Sequence, residues 1–529
     1  MTGTLEAPLV DEPQLPQYNA QRIGFAAGVI AAAVMLVGIV VLRLLSNVES
    51  LPEIVAEGIL VNLPGALFSA VLDALQHSAK PLFYVGVGIA ILVVGGILGR
   101  VFASRPTWQR ATQIVLGAWL VFGLGVYTFL GGGIFGQHLQ AGPVWHGGSL
   151  LIVFGLFGVA LWHAYFALAH RAVPSLPDVS RREFLRNVAV AMVATVGAGS
   201  VWRLMYGADT APTTSAPVVS GALPATASAP NAAPFDLSGI SPEVTAVGDF
   251  YTVSKNVIDP SVAVGGWRLK IDGLVDNPIE LTYDQLTALP ASDGYYTLMC
   301  ISNEIGGELW GNAAWRGVKL KYLLEQAGVH TDAFKAVFSA ADDYKDSVHL
   351  DRALHPDALL AWEMNGAPLK REHGYPARLL IPGIYGMKNV KWLTGITIVA
   401  NDFKGFWQNQ GWDDAAPYQT ESRFDVPHSR DTLTAGALSL GGVAFAGDRG
   451  ISSVEVSTDG EKTWLPAQVK PGLSPYTWQL WRADINVDKS VRDIRVRATD
   501  GQGKPQTREQ NDPFPSGATG YDTIRVAVS

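Results

Sequence analysis

The residue through which this sequence could do the most unusual chemistry is its single cysteine. Cys300 stands between Thr297-Leu298-Met299 and Ile301-Ser302-Asn303-Glu304-Ile305-Gly306-Gly307. A lone cysteine is commonly a small buried hydrophobe. Its functional uses are as a nucleophile, as a redox-sensitive thiol, or as a thiolate ligand to a soft metal centre. A nucleophile needs a histidine base, and nothing in the local sequence picks one out of the 10 histidines. A metal that brings sulfur ligands of its own needs only one protein thiolate. One cysteine excludes an internal disulfide, a cysteine-cluster zinc or iron–sulfur site, and a C-x-x-C-H haem attachment.

The elements that must position Cys300 begin at Phe235. Trp267–Leu274 alternates as a strand does, and Leu281–Leu289 suits a short helix. Tyr295–Cys300 reads as a strand ending at the cysteine. Gly317–Gly328 has helical apolar spacing closed by a glycine cap. Ala333–Ala340, Arg378–Ile381 and Trp392–Val399 are strand-like, so the region is expected to be α+β. From Thr432 to Ser529 short alternating segments are separated by turn signals such as Thr458-Asp459-Gly460 and Asp500-Gly501. That pattern predicts an all-β sandwich.

The first 206 residues are a different material. Over the whole chain of 529 residues, 48% are hydrophobic and 16% charged, with mean hydropathy +0.19. A soluble domain carries about 25% charged residues. The length accommodates about three or four domains, and the net charge of −8 argues against a nucleic-acid partner. Four apolar runs, about 23–45, 81–102, 111–131 and 149–169, each match the ~30 Å hydrocarbon thickness of a bilayer. A fifth, about 188–205, is shorter and richer in Ala and Gly. Leu51–Leu75 is interrupted by acids and Pro64, which reads as an interfacial or re-entrant helix.

Arg100, Arg105 and Arg110 follow the second run, and Arg171, Arg181, Arg182 and Arg186 follow the fourth. Both groups are expected on the cytoplasmic side, with residues 1–22 a cytoplasmic N-terminus. The segment Gly132–Gly148 has no charged residue and is expected outside. His163 in the fourth run is read as a packed histidine in preference to a haem ligand. No Lys, Asp or Glu lies well inside the four runs, which weakens a transport function.

Ser180-Arg181-Arg182-Glu183-Phe184-Leu185-Arg186, ahead of the fifth run, resembles a twin-arginine export signal. That resemblance implies a domain folded around a cofactor before export. Residues 207–234, rich in Ala, Thr, Ser and Pro, read as an extended extracytoplasmic linker.

The globular half resembles the sulfite oxidase family. The likeness rests on Thr297 to Gly307, Trp315-Arg316-Gly317-Val318, Leu323-Leu324 and Leu360-Ala361-Trp362-Glu363-Met364-Asn365-Gly366. It continues through His373-Gly374-Tyr375-Pro376-Ala377-Arg378, Pro382-Gly383, Gly386 and Val390-Lys391-Trp392-Leu393. The resemblance implies a molybdopterin oxidoreductase domain over 235–430 in which the Cys300 thiolate ligates molybdenum. His373 and Arg378 match positions that bind the pterin and its phosphate. Asn389, Val390 and Lys391 match the loop completing that site, with Lys388 beside them, and Tyr344 resembles the family's active-site tyrosine.

Phe250-Tyr251-Thr252-Val253-Ser254-Lys255-Asn256 also matches. Where the family carries an arginine and a histidine touching substrate and cofactor, this chain has Ser254 and Asn256. Where it carries an arginine shortly after the cysteine, this chain has Glu304-Ile305. A sulfite dianion desolvated without those cations is unfavourable, so sulfite is not the favoured substrate.

Residues 431–529 resemble the Ig-like domain through which the family forms homodimers, and Arg449 matches an arginine that can reach the substrate pocket. The expected protein is therefore multi-domain. It has an α-helical transmembrane bundle of five helices, a molybdopterin domain carrying out oxygen-atom transfer on a small molecule, and an Ig-like sandwich. Its electrons would pass to or from a separate redox partner or a quinone. The rival functions are an S- or N-oxide reductase of the same fold and a cofactor-free binding ectodomain.

Overall fold

The computed structural model describes residues 17–46, 50–62, 79–130, 132–137, 139, 142–172, 181–206, 235, 237–256 and 259–529. The linker and the first 16 residues lie outside the described residues, as does the second half of the Leu51–Leu75 stretch. The chain divides into two compact units, the N-terminal helices and the globular half.

The first unit holds α1 (Gln17–Ser46), α2 (Leu51–Asn62), α3 (Ala79–Ala103), α4 (Trp108–Leu120), α5 (Gly142–Ala172) and α6 (Arg181–Tyr206). A π-helical segment, Val121–Val126, carries α4 on to Phe129. Among the described residues, four stretches are long and apolar enough to cross a membrane: Ala20–Ser46, Val85–Ala103, Trp108–Phe129 and Gly142–His170. The expected fifth span differs: α6 is helical, but its apolar part, Leu185–Gly197, is too short by itself. Arginines at its start and the small Ala and Gly side chains dilute its hydropathy. The fourth helix also starts earlier than expected, so Gly142–Gly148 is helix and not loop.

Glycines let α1 and α3 touch backbone to backbone. A Cβ at Gly28 would collide with the Gly95 carbonyl, and one at Gly99 with the Gly24 carbonyl. This four-residue spacing of small residues is the usual device for close helix packing where lipid removes the hydrophobic drive. Arg43, the one charge inside the first run, is buried and paired with Glu53 of α2 at 2.9 Å. His163 has both ring nitrogens engaged, by the Val159 carbonyl and Asn187, each at 2.8 Å, which agrees with a packed histidine. On the outer faces, Phe129 is 78% and Val144 86% exposed.

The globular unit begins with two sheets. In the first, β1 (Leu269–Gly273) lies between β2 (Ile279–Leu281) and β10 (Leu393–Val399), followed by β5 (Lys335–Ala340) and β6 (Lys345–His349). Only β1 and β10 run parallel. The second runs β3 (Ala291–Met299), β4 (Trp310–Lys319), β7 (Leu359–Met364), β8 (Ala367–Pro368), with β9 (Arg378–Leu380) also on β7.

Leu286 of the short helix α7 (Tyr283–Thr287) packs into the main core with Leu320, Leu323 and Leu324 of α8 (Leu320–Ala327). Gly328 ends α8 with φ +70°. The expected helix from Gly317 thus starts three residues later, because Gly317–Lys319 pairs with β7 as the end of β4.

The C-terminal module consists of two four-stranded antiparallel sheets around one core, with Trp481 and Leu440 on one side and Val454, Val496 and Ile524 on the other. The first sheet contains β11 (Glu421–Val426), β13 (Gly436–Phe445), β17 (Gln479–Val487) and β16 (Gln468–Val469). The second contains β15 (Leu465–Pro466), β14 (Ile451–Ser457), β18 (Asp493–Asp500) and β19 (Asp522–Arg525). A small pair, β12 (Thr432–Leu433) with β20 (Ala527–Val528), completes it. Because β11 pairs with β13, the module starts ahead of the expected boundary at 431.

Candidate active site around Cys300

β3 and β4 form a hairpin whose last pair is Met299 with Trp310, and Cys300 is the first residue past the ladder. The loop is held by its own hydrogen bonds. Cys300 N–H donates to the Leu309 carbonyl at 2.9 Å, and Asn303 N–H donates to the Cys300 carbonyl at 3.0 Å. Asn303 Oδ1 accepts from Leu309 N–H at 2.9 Å.

Cys300 is buried, with Sγ 3.0 Å from the Ser302 hydroxyl. Burial pushes the thiol up, while the Ser302 hydroxyl, the backbone N–H groups of Ser302 and Ile301, and the Lys391 charge pull it down. Burial wins, so the bare thiol is protonated at neutral pH and is a poor nucleophile. The donors aimed at the sulfur are an apt setting for a thiolate whose charge a metal compensates.

Four tyrosines lie within electrostatic reach of Cys300: Tyr251, Tyr344, Tyr385 and Tyr418, all held above the ordinary phenol range chiefly by burial. Tyr418 Oη accepts from Met299 N–H at 3.4 Å. Tyr344 Oη lies 2.8 Å from Asp346 Oδ2 and 2.9 Å from the Met387 carbonyl.

Arg378, His373 and Lys391 converge. Gly374, at φ +106°, allows the approach, since its Cβ would sit 3.0 Å from the Cβ atoms of both Arg378 and Lys391. Arg378 is buried, donating to the carbonyls of His373 and Asn389, both at 3.2 Å, with its guanidinium 5.3 Å from the Trp315 ring. Burial pulls its pKa down to about 10. Its Nε has no hydrogen-bond partner. His373 Nε2–H donates to the Val247 carbonyl at 2.9 Å, and burial lowers the ring's pKa. Lys391 Nζ donates to the Glu372 carbonyl at 2.9 Å.

The other expected residues are placed differently. Asn389 uses its side chain on Ile381 N–H, Ile384 O and Tyr385 O, bracing the 381–389 loop, and Val390 is in the main core. Lys388 is fully buried, donating to Asp346 Oδ1 at 2.8 Å, Ser347 O at 2.9 Å and Asp414 Oδ1 at 3.3 Å, so its three N–H groups point at protein acceptors. Asp414 also pairs with Lys335 and Lys404. Burial pushes the Asp414 carboxyl up, but the hydrogen bonds from both lysines and the Lys388 charge overcome it and hold it well below the usual range.

Asn256 Nδ2 donates to Asp342 Oδ2 at 2.8 Å. Arg449 pairs with buried Asp500 at 2.8 Å and donates to Tyr418 O at 3.0 Å and Thr420 Oγ1 at 3.2 Å. Sequence reasoning missed Asp346, Tyr251, Tyr418 and Glu421. The local signals were the place of Asp346 two residues after Tyr344 and that of Tyr251 within the matched stretch 250–256; nothing nearby in the sequence marked Tyr418 or Glu421.

Comparison with known proteins places both parts of the globular half in known families. Residues 256–407 match the family described as the oxidoreductase molybdopterin binding domain, and 418–511 match the Mo-co oxidoreductase dimerisation domain. An uncharacterized oxidoreductase of Bacillus subtilis, YuiH, is 32% identical over 148 residues, 28% of this chain and 72% of its own length. The chain belongs to the sulfite oxidase family of molybdopterin oxidoreductases. The sulfite oxidase of Arabidopsis thaliana is 29% identical over 336 residues, covering 52% of this chain and 85% of that protein. The mitochondrial sulfite oxidase of Homo sapiens is 29% identical over 284 residues, 45% of this chain, which spans about half (52%) of that enzyme's length.

As a member of this family the chain has a donor set that fits the molybdopterin cofactor. A buried guanidinium with an unsatisfied N–H, facing carbonyls and an aromatic ring, is suited to a phosphate. No carboxylate pairs with Arg378 among the described residues. Among them, no group of three or more His, Cys, Asp or Glu is placed to hold a metal ion.

Proposed function

We propose that this chain is a membrane-anchored, extracytoplasmic oxidoreductase that transfers an oxygen atom to or from a small substrate other than sulfite. The observation that carries this reading is the unsatisfied Arg378 guanidinium converging with His373 and Lys391 beside a buried, hydrogen-bonded Cys300. In it, the Cys300 thiolate ligates molybdenum and Arg378, His373 and Lys391 hold the pterin and its phosphate. The bound cofactor supplies two-electron oxygen-atom transfer. The Ser302 hydroxyl and neighbouring N–H groups steady the thiolate, buried Tyr385 and Tyr418 exclude water, and Tyr344 holds a proton beside Asp346.

The neutral contacts at Ser254 and Asn256 support the reading against sulfite. Ser254 Oγ donates to Asp259 at 2.8 Å and Asn256 faces Asp342, so both positions face carboxylates, unfavourable beside a dianion. The chemistry is compatible with oxidation of a small molecule or with reduction of an S- or N-oxide. Four apolar helices with exposed Val, Leu and Phe, and the arginines that flank them, support a lipid-embedded anchor with its N-terminus in the cytoplasm and residues 207–529 outside. The twin-arginine-like segment before α6 supports export of a domain already folded on its cofactor. Electrons pass to a separate redox partner or a quinone, and the C-terminal module forms a homodimer.

Molybdenum and pterin content, measured on wild type and Cys300→Ala from a molybdenum-replete host, tests the proposal. About one molybdenum per chain is expected in wild type and little in the variant. Wild-type protein without molybdenum overturns it. Dye-mediated turnover across sulfite, sulfoxides and N-oxides then identifies the substrate class.

A further inference from the structure

The surroundings of Tyr344 contain one acceptor too many. Its hydroxyl lies within hydrogen-bond distance of Asp346 Oδ2 at 2.8 Å and the Met387 carbonyl at 2.9 Å. A phenol has one proton to donate and a carbonyl has none. A single O–H can serve both acceptors only by sharing its proton in a weaker three-centre bond; two full hydrogen bonds require the carboxyl to supply the second proton. With Asp346 ionised, one of the two becomes a close approach of lone pairs in a dry interior, where an unmade bond is costly.

The acceptor load on Asp346 is divided accordingly. Its Oδ1 takes Lys388 Nζ at 2.8 Å and the Ser347 N–H at 2.7 Å, leaving Oδ2 to carry the proton. Both Asp346 and Lys388 are fully buried. Burial pushes the Asp346 carboxyl up, and Lys388, although it pulls the other way, does not cancel that. The charged groups around the pair are Lys335, Lys388 and Lys404 on one side and Asp402, Asp414 and, on the Tyr344 turn, Asp342 on the other. Three lysines and three carboxylates balance without Asp346, so a neutral Asp346 leaves no net charge in the cluster.

We infer that Asp346 is the proton partner of Tyr344, holding a proton on Oδ2 that replaces the one Tyr344 gives up to the Cys300 site. The Tyr344 O–H turns from the Met387 carbonyl toward the site and breaks as its proton passes to an oxygen base of substrate or water there. The Asp346 Oδ2–H bond breaks as a new Tyr344 O–H bond forms, and the aspartate left behind is paired with Lys388. No electrons move, and the reverse transfer reloads the pair. Lys388 is a positioning residue that stabilises the discharged state. The destination of the proton rests on the oxidoreductase reading above; the protonation of Asp346 does not.

The test is infrared difference spectroscopy on the full-length protein, wild type minus Asp346→Asn, with carboxyl-labelled aspartate. At pH 7 a carboxylic-acid C=O band is expected that shifts in D2O and moves again in Tyr344→Phe. Asparagine keeps a donor toward Tyr344 and an acceptor toward Lys388, so the variant should fold and keep its molybdenum. Its kcat should fall about 100-fold with KM within about twofold, and the pH dependence of kcat should flatten. A carboxylate band alone at pH 7, or a loaded Asp346→Asn variant with wild-type kcat and pH profile, overturns the proposal. Wild type without molybdenum would refute the cofactor reading and leave the infrared result standing.

Discussion

Replacing Glu421 by glutamine should remove a pH dependence of stability that one buried carboxyl imposes. Glu421 opens β11 and is only 2% exposed. One oxygen accepts from Asn303 Nδ2 at 3.2 Å, and the other has no partner. Burial raises its pKa from an ordinary 4.5 to about 8, against the pull of the Asn303 hydrogen bond and the Arg423 charge, with Asp522 adding repulsion. The folded protein therefore keeps this proton where the unfolded chain has lost it. Stability from the neutral form is fully present below about pH 4.5 and drains as pH rises through 8.

The slope is about 1.4 kcal/mol per pH unit, or roughly 4 kcal/mol between pH 5 and 8. Glutamine is neutral throughout and can still accept from Asn303. Urea unfolding of both proteins in the same detergent, at pH 5 and pH 8, isolates the difference, because Asp346 and Asp414 titrate alike in both. Glu421→Gln should match wild type within about 1 kcal/mol at pH 5 and exceed it by several at pH 8. Stability curves that stay parallel across that range would refute the reasoning.

Other substitutions probe the remaining contacts. Arg378→Lys exchanges a planar fork for a point charge, so pterin content, read by fluorescence after oxidative release, should fall at least about tenfold with the circular dichroism unchanged. Arg449→Ala leaves Asp500 without its guanidinium and frees the Tyr418 carbonyl; thermal unfolding should show a loss of about 2 kcal/mol. Gly28→Val forces a branched side chain into the Gly95 backbone. It should destabilise the helical unit by about 3 kcal/mol or more, seen as aggregation on size exclusion in detergent.

Much of this architecture was legible because local signals agree with the fold. The strand into Cys300, the Gly328 cap and the four apolar helices each follow from period and punctuation. α6 was over-read because its length is helical while its hydropathy is diluted. Gly317–Lys319 was over-read because its apolar spacing is equally that of a strand end. At the site, the structure brings His373, Arg378 and Lys391 together around Gly374. Lys388 and Asn389 share that motif, yet their side chains serve the protein: one is buried in a carboxylate cluster, the other braces a loop. For Lys388 the difference is set by Asp346 and Asp414, 42 and 26 residues away, and no local pattern records it. Tyr418 and Glu421 were invisible for the same reason, since they reach the cysteine loop from the start of the next module.

That reach gives the C-terminal module a part in the site itself. β3 is an edge strand, paired on one side only with β4, and a bare edge leaves unpaired backbone groups beside the cysteine. The module fills it. Thr297 N–H donates to the Tyr476 carbonyl at 2.9 Å, Trp478 N–H to Thr297 Oγ1 at 2.9 Å, and Ser474 Oγ to the Tyr295 carbonyl at 2.5 Å. At the strand's end Met299 N–H meets Tyr418, and Arg423 donates to the Gly307 carbonyl at 2.7 Å from above the Trp310 ring. These bonds fix Tyr295, Thr297 and Met299 in the strand that ends at Cys300, and Gly307 in the loop that follows it. The position of the sulfur is thus set by two modules together, and a chain cut before Tyr418 would lose the hydrogen bonds that hold the Cys300 loop on its outer side.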